Sequence, residues 1–238
     1  MGAITMNFLE ILKEAFLTSL TSGPRSNAKL KILHGAIAKD LSKKLGDEYE
    51  VQSLGFNRGK EGKINGRYID KRVDVTITKN KKAIAGIAVK FVMSNYKQNS
   101  NNYFENMLGE TANIRTNNIP YFQIFIISKK MPYYDLRKNI SRWDYPSAEN
   151  LKKYVKMSRD NTDYYFHTPN KTLLVVIDLQ TRADFNPKNF SEYQDYFLTH
   201  QEDFNVKYDD VDSDFGDNVI INDYDKFIAK IYHLILSL

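Results

Sequence analysis

Two uninterrupted apolar runs constrain this chain most. Residues 119–128, IPYFQIFIIS, and residues 172–179, TLLVVIDL, are rich in β-branched and aromatic side chains. Strands of this composition are buried on both faces, so they read as central strands of a sheet covered by helices. A third apolar run, AIAGIAVKFV (83–92), follows VDVTIT (73–78) across the polar stretch KNKK. Two β-rich runs around so short a turn predict a hairpin, its turn centred on Asn80-Lys81.

The remaining elements follow from helical spacing. MNFLEILKEAFLTSL (6–20) repeats apolar residues at helical intervals, and SGPRS interrupts it. Asn27 is the expected N-cap of a second helix, with Leu30, Leu33, Ile37, Leu41 and Leu45 on one stripe and Gly46 as its stop. His34 lies on that stripe and reads as a packed core residue rather than a ligand. EYEVQSLGF reads as a strand, YFENMLGETANIR (103–115) and DYDKFIAKIYHLILSL (223–238) as helices. The Gly- and Lys-rich NRGKEGKINGRYIDK and the polar SNYKQNSNN read as loops, and residues 129–171 as basic, aromatic and irregular. The order is helices, strand, hairpin, helix, strand, strand, helix. It predicts an α/β (α+β) fold with a mixed central sheet flanked by helices. The length, 238 residues, fits one domain over 1–238.

Composition narrows the classes. The chain has no cysteine, which excludes disulfides and thiolate-bound zinc. The start, MGAITMNFLEILKEAF, has no basic n-region, and no apolar run approaches the roughly 20 residues of a membrane span. A soluble cytoplasmic protein with no membrane association is therefore expected. Net charge is only +5, but it is unevenly spread. Residues 56–142 hold 17 Lys and Arg against 6 Asp and Glu; residues 184–225 hold 2 against 12. The balances of +11 and −10 suggest a polyanion partner for the basic part.

Lys90 is the anomaly of the hairpin, because a lysine is rarely buried without a partner. Side chains alternate along a strand, so Lys90 shares a face with Ala88 and Gly86. The predicted register places Asp74 within a residue or two of it across the hairpin. That offers a carboxylate partner, and the small neighbours leave room for a metal or a substrate. The next helix carries Glu105 and Glu110 on two flanks, roughly 140° apart at 100° per residue. A half-buried ion pair that only stabilises the sheet is the competing account.

An aspartate in one strand, a lysine in its partner strand, then a helix and a buried strand resemble the PD-(D/E)XK nuclease superfamily. The chain is similar within it to a type II restriction endonuclease, over a core of about residues 27–128. The resemblance implies a restriction-endonuclease-like fold whose C-terminal part completes the sheet and the DNA-binding and dimer surface. It implies Mg²⁺-dependent, sequence-specific cleavage of double-stranded DNA by a bacterial homodimer, with no organic cofactor. Asp74 and Lys90 match the motif. Its second acid, two residues before the lysine, is replaced by Ala88, and Val73 stands where a proline is usual. Either the acid has moved to the next helix, or the chain is a catalytically inactive DNA-binding relative, or Ala88 is an engineered substitution. On the first account the catalytic residues are Asp74, Lys90 and Glu105. The metal ligands are Asp74, Glu105, Glu110 as second choice, and the carbonyl of Val89; Glu61, in the loop before the hairpin, reads as a surface-loop residue and is the next acid to test only if neither helix glutamate serves.

Candidate DNA contacts are Lys60, Lys63, Arg67, Asn95, Lys97, Gln98, Asn99, Asn101, Asn102 and Arg115, because Lys and Arg suit phosphate or guanine and Asn and Gln suit adenine edges. YDDVDSDFGDN (208–218) has the spacing of a calcium loop. Phe215 stands where the loop needs glycine and Ile221 where it needs glutamate, so it reads as an acidic surface loop. The other histidines, His167, His200 and His233, show no ligand spacing.

Overall fold

A computed structural model of the chain describes residues 7–23, 26–57 and 59–238. Met6, Pro24, Arg25 and Arg58, which enter the helix, breaker and charge readings above, lie outside the described residues. The described chain forms α1 (Phe8–Ser22), α2 (Ala28–Leu45), β1 (Tyr49–Ser53), β2 (Gly62–Ile64), β3 (Lys71–Val73), β4 (Val75–Lys79) and β5 (Lys82–Val92). It continues through α3 (Tyr96–Arg115), β6 (Tyr121–Ser128), β7 (Met131–Tyr134), β8 (Ile140–Asp144), α4 (Ala148–Met157) and β9 (Lys171–Gln180). It ends with α5 (Phe190–Thr199), β10 (Asn205–Tyr208), β11 (Val219–Ile221) and α6 (Tyr224–Leu236).

The main sheet runs β1-β4-β5-β6-β9-β10. The first three strands are antiparallel, β5, β6 and β9 are parallel, and β10 is antiparallel to β9. β10 pairs the C-terminal half of β9 while β11 pairs its N-terminal half in parallel. The mixed α/β class expected from the sequence is what the chain adopts. Alternation along β6 and β9 shows why both runs are apolar throughout. Phe122, Ile124, Ile126, Leu173, Val175 and Ile177 face a core closed by α1, α2, α5 and α6. Phe125, Ile127, Leu174 and Val176 face a second core closed by α3 and α4. Each fully buried side chain of this size contributes on the order of 1.5–3 kcal/mol, which adds to the strand preference of these β-branched and aromatic residues.

The chain departs from the sequence reading in four places. SNYKQNSNN is not a loop; α3 begins at Tyr96. Its polar residues form the outer face, while Tyr96 and Ser100 are buried in line with Met107 and Thr111. The helix N-terminus is met by the buried carboxylate of Asp144, which accepts from the Lys97 N–H at 3.1 Å. That cap arrives from β8, far along the sequence, so no local signal announces the start. The loop 57–71 contains the small sheet β2-β3, and the segment 129–171 contains the β7-β8 hairpin and α4. Asn27 stands at the head of α2 but its side chain makes no cap bond; Ser26 Oγ accepts from the Ala28 N–H instead.

The hairpin turn is as expected: Lys79 pairs Lys82, which leaves Asn80 and Lys81 as the two turn residues. Both have positive φ, 51° and 64°. Asn tolerates that region, whereas a long L-residue such as lysine is strained there. Lys81→Gly is therefore expected to raise stability by about 0.5–1 kcal/mol, the relieved strain less the backbone entropy of glycine. For a chain of this size that is roughly 1–3 °C in a reversible thermal melt. A lower midpoint would show that Lys81 makes a compensating contact.

Candidate metal centre

The site begins where the hairpin splays. Val75 pairs Ile87, but the next residue, Asp74, leaves the ladder, and β3 turns away to pair with β2. Beyond Ile87, therefore, β5 keeps its partner β6 and loses β4. The Val89 N–H would lose its backbone acceptor. Asp74 supplies one: its Oδ2 accepts from Val89 N at 2.7 Å. Ser53 Oγ fixes the same bend by donating to the Asp74 carbonyl at 2.7 Å.

Two further groups converge on this carboxylate. His34, from α2, is 1% exposed. Its Nδ1 lies 3.6 Å from Asp74 Oδ1. Gly35 lets α2 pack closely on the turn after β1, since a Cβ there would meet the Gly55 carbonyl oxygen at 2.9 Å. Glu61, just before β2, completes the group: one ligand atom from each of His34, Glu61 and Asp74 lies within 4.8 Å of the others. Among the described residues neither His34 nitrogen has a hydrogen-bond partner. A buried imidazole without partners is costly, and a cation between it and the two carboxylates would satisfy it. The donor set, one nitrogen and two carboxylates, fits a divalent cation.

The electrostatics suit that role. Burial pushes the Asp74 carboxyl up to about 6, with the Glu110 carboxylate adding to the rise, while the Val89 hydrogen bond and the charges of Lys71 and Lys90 oppose it. Burial pushes His34 down to about 4, with Glu61 partly offsetting this. At neutral pH the imidazole is thus neutral and the carboxyl largely ionised, the forms that bind metal.

The open edge of β5 separates two clefts. One, of about 310 Å³, is lined by Asp74, Ala88, Lys90, Glu110 and Gln123, with Tyr103 and Met107 from α3 as its wall. The other, of about 260 Å³, is lined by Lys29, His34, Asp74 and Lys90 beneath α1 and α2. Lys90 is exposed, not half-buried, with its ammonium 5.0 Å from the centre of the Tyr103 ring. Burial, and then the charge of Lys90, lowers the Lys29 ammonium, and both lysines line the second cleft. In the first cleft Lys71 Nζ contacts Glu110 Oε1 at 2.5 Å. Gln123 Nε2, in register with Ala88 on the neighbouring strand, is buried and has no hydrogen-bond partner among the described residues.

Asp74, Val89, Lys90 and Glu110 are thus brought together. Glu105 is not: it is exposed on another flank of α3, where its charge acts on Lys153 of α4. The helix wheel leaves the choice between the glutamates open; proximity in sequence to Lys90 favours Glu105, whereas it is Glu110 that lines the cleft. His34 and Glu61 were the residues undervalued by the sequence; their meeting depends on α2 crossing the Asp74 end of the sheet.

The expected DNA contacts divide. Lys60, Arg67, Lys97 and Asn102 are exposed, and Lys63 is exposed but paired with Asp70 at 2.6 Å. Asn95 is bonded to the Tyr134 backbone, Gln98 accepts from the Tyr133 hydroxyl, Asn99 donates to the Asn95 carbonyl, and Asn101 accepts from Lys153. Arg115 is buried and its guanidinium is spent on three backbone carbonyls, so it does not face a nucleic acid. The 209–218 segment is irregular, with Asp209 paired to Lys129 and Asp214 to Arg159.

Because burial raises Asp74 from its ordinary 3.8 to about 6, its ionised form weakens the metal-free fold. A raised carboxyl costs stability as pH rises through the interval between those values and costs most above it. Asp74→Asn keeps an acceptor for Val89 and removes the charge. In metal-free buffer it is expected to melt several degrees above the parent at pH 8, with the gain fading as pH falls toward 4. A pH-independent difference would show that the charge is already compensated.

Comparison of the chain with protein-family models, curated proteins and solved structures found no match.

Proposed function

We propose that the chain is a metal-dependent nuclease of the restriction-endonuclease-like kind, hydrolysing phosphodiester bonds at the open edge of β5. The observation that carries this reading is the convergence of His34, Glu61 and Asp74 on that edge, beside the exposed Lys90. His34, Glu61 and Asp74 would hold a divalent cation, which supplies an activated water and neutralises charge on the phosphoryl oxygens. The imidazole favours Mn²⁺ over the Mg²⁺ implied by the resemblance, because Mg²⁺ prefers an all-oxygen shell.

The chain's own residues do the rest. Asp74 is held by Val89 so that its second oxygen points at the cluster. Lys90, with Lys29 behind it, offers positive charge where the phosphate would sit. Glu110, oriented by Lys71, supplies the carboxylate that Ala88 does not. Gln123 Nε2 gives an unused donor for a phosphate oxygen or an ordered water. Double-stranded DNA is the substrate the resemblance suggests, and the +11 balance of residues 56–142 supports a polyanion. Ala88 favours a second reading, a nucleic-acid-binding domain of the same fold without catalysis.

Cleavage of mixed-sequence plasmid and oligonucleotide DNA in Mn²⁺ or Mg²⁺ separates the two. The parent is expected to cut, faster in Mn²⁺. Lys90→Ala is expected to lose about 100-fold or more, as for removal of one group that stabilises transition-state charge. His34→Ala, Glu61→Gln and Glu110→Gln are expected to be similarly impaired, and Glu105→Gln to cut like the parent. Binding without cleavage in either metal favours the second reading. A folded Lys90→Ala protein cutting at the parent rate would falsify the assigned role.

A further inference from the structure

The loop between α4 and β9 is absorbed by nothing above. It carries Tyr164, Tyr165 and Phe166 in succession, 79%, 48% and 41% exposed. Three consecutive exposed aromatics lose the hydrophobic gain that burial would give them, so a floppy loop would be expected to fold them in. This loop is held instead. Arg115, buried at the end of α3, donates from Nη1 to the carbonyls of Tyr165 (3.1 Å) and Thr168 (2.6 Å) and from Nη2 to Thr162 (2.7 Å). The Tyr164 and Tyr165 N–H groups donate to the Asn161 carbonyl, and Thr168 Oγ1 donates to Asp160. The guanidinium also lies 5.5 Å from the centre of the Phe166 ring.

The surroundings are cationic. Tyr165 and His167 share a cleft of about 330 Å³ with Lys153, Lys156, Phe104 and Leu108. Lys152 and Lys156 are exposed on α4. Of the nearby acids, Asp160 accepts from Thr168 and Glu149 pairs with Lys152, while the charges of Asp163 and Glu105 act on Arg115 and Lys153. Exposed aromatic rings on a backbone pinned in place, beside lysines, meet the two demands of an unpaired polynucleotide, stacking for bases and charge for phosphates. A duplex hides its base faces in the stack and cannot use them.

We propose that residues 161–167 form a base-stacking platform for a single-stranded nucleic-acid segment. This rests on the nuclease reading and narrows its substrate from plain duplex to one with an unpaired stretch. Removing one stacking ring costs about 1–3 kcal/mol per base, which is about fivefold to 150-fold in affinity.

The test is fluorescence anisotropy with a labelled 20-nucleotide single strand and its blunt duplex, in EDTA, on the full chain. Tighter binding of the single strand is expected. Tyr164→Ala and Tyr165→Ala are expected to weaken it at least fivefold with little change for duplex, while Tyr164→Phe, which keeps the ring, binds like the parent. Lys156→Ala is expected to lower the salt slope without changing the preference. Equal losses on both probes, or an alanine variant with a parental melt and parental single-strand affinity, overturns the proposal. Asp74→Asn, run in parallel, is expected to bind the strand normally. No cleavage by the parent chain in either metal, with the stacking effect intact, removes the nuclease reading alone. Cleavage with unchanged binding by the ring variants removes the platform alone.

Discussion

The hydrogen bond from the Val89 N–H to Asp74 Oδ2 is the contact on which the candidate site depends. It stands in for the ladder bond that β4 would have made had it continued alongside β5. Because a side chain rather than a backbone carbonyl meets Val89, the chain at Asp74 is free to leave the sheet. The departure opens the β5 edge on both faces while β6 keeps the strand in place. A paired edge at Ala88–Lys90 would leave no room for either cleft. The same carboxylate, pinned through one oxygen, has the other available to His34 and Glu61.

Such an arrangement weakens the fold locally. A buried imidazole without partners, a raised carboxyl and an unpartnered glutamine amide sit within one small region. Each is destabilising by itself, since buried polar groups are normally satisfied. The surrounding sheet tolerates them because β6 is buried throughout and β9 is buried from Thr172 to Ile177. Clusters of uncompensated groups on an otherwise well-packed frame are what a binding site looks like before its ligand arrives.

How much of this was legible in the sequence differs by feature. The central strands were, because Ile124, Ile126, Val175 and Ile177 state their burial directly. So was the hairpin, because Asn80-Lys81 sits between two β-rich runs. The start of α3 was not, since its capping carboxylate belongs to Asp144, whose position is a tertiary fact. Asp74 and Lys90 could be paired by strand register alone. His34 could not be joined to them: helical spacing showed only that it points inward, and the partners it meets depend on how α2 crosses the sheet. Arg115 illustrates the reverse error. Charge type suggested a phosphate contact, but its guanidinium matches three carbonyls of a neighbouring loop better than it matches solvent.

Arg115 also links the two halves of the functional argument. It lies five residues after Glu110 on one helix, about 7.5 Å along the axis at 1.5 Å per residue. Asn113, between them, holds the opposite loop: its Oδ1 accepts from the Tyr68 and Ile69 N–H groups, and its Nδ2 donates to the Ile69 carbonyl. The last turns of α3 therefore fix a cleft carboxylate and two exposed aromatic tips as one body. A helix buried along Met107, Thr111 and Ile114 cannot shift by a fraction of a turn without breaking that packing. The spacing between the open β5 edge and the exposed aromatic tips is thus set by the register of one helix against the sheet.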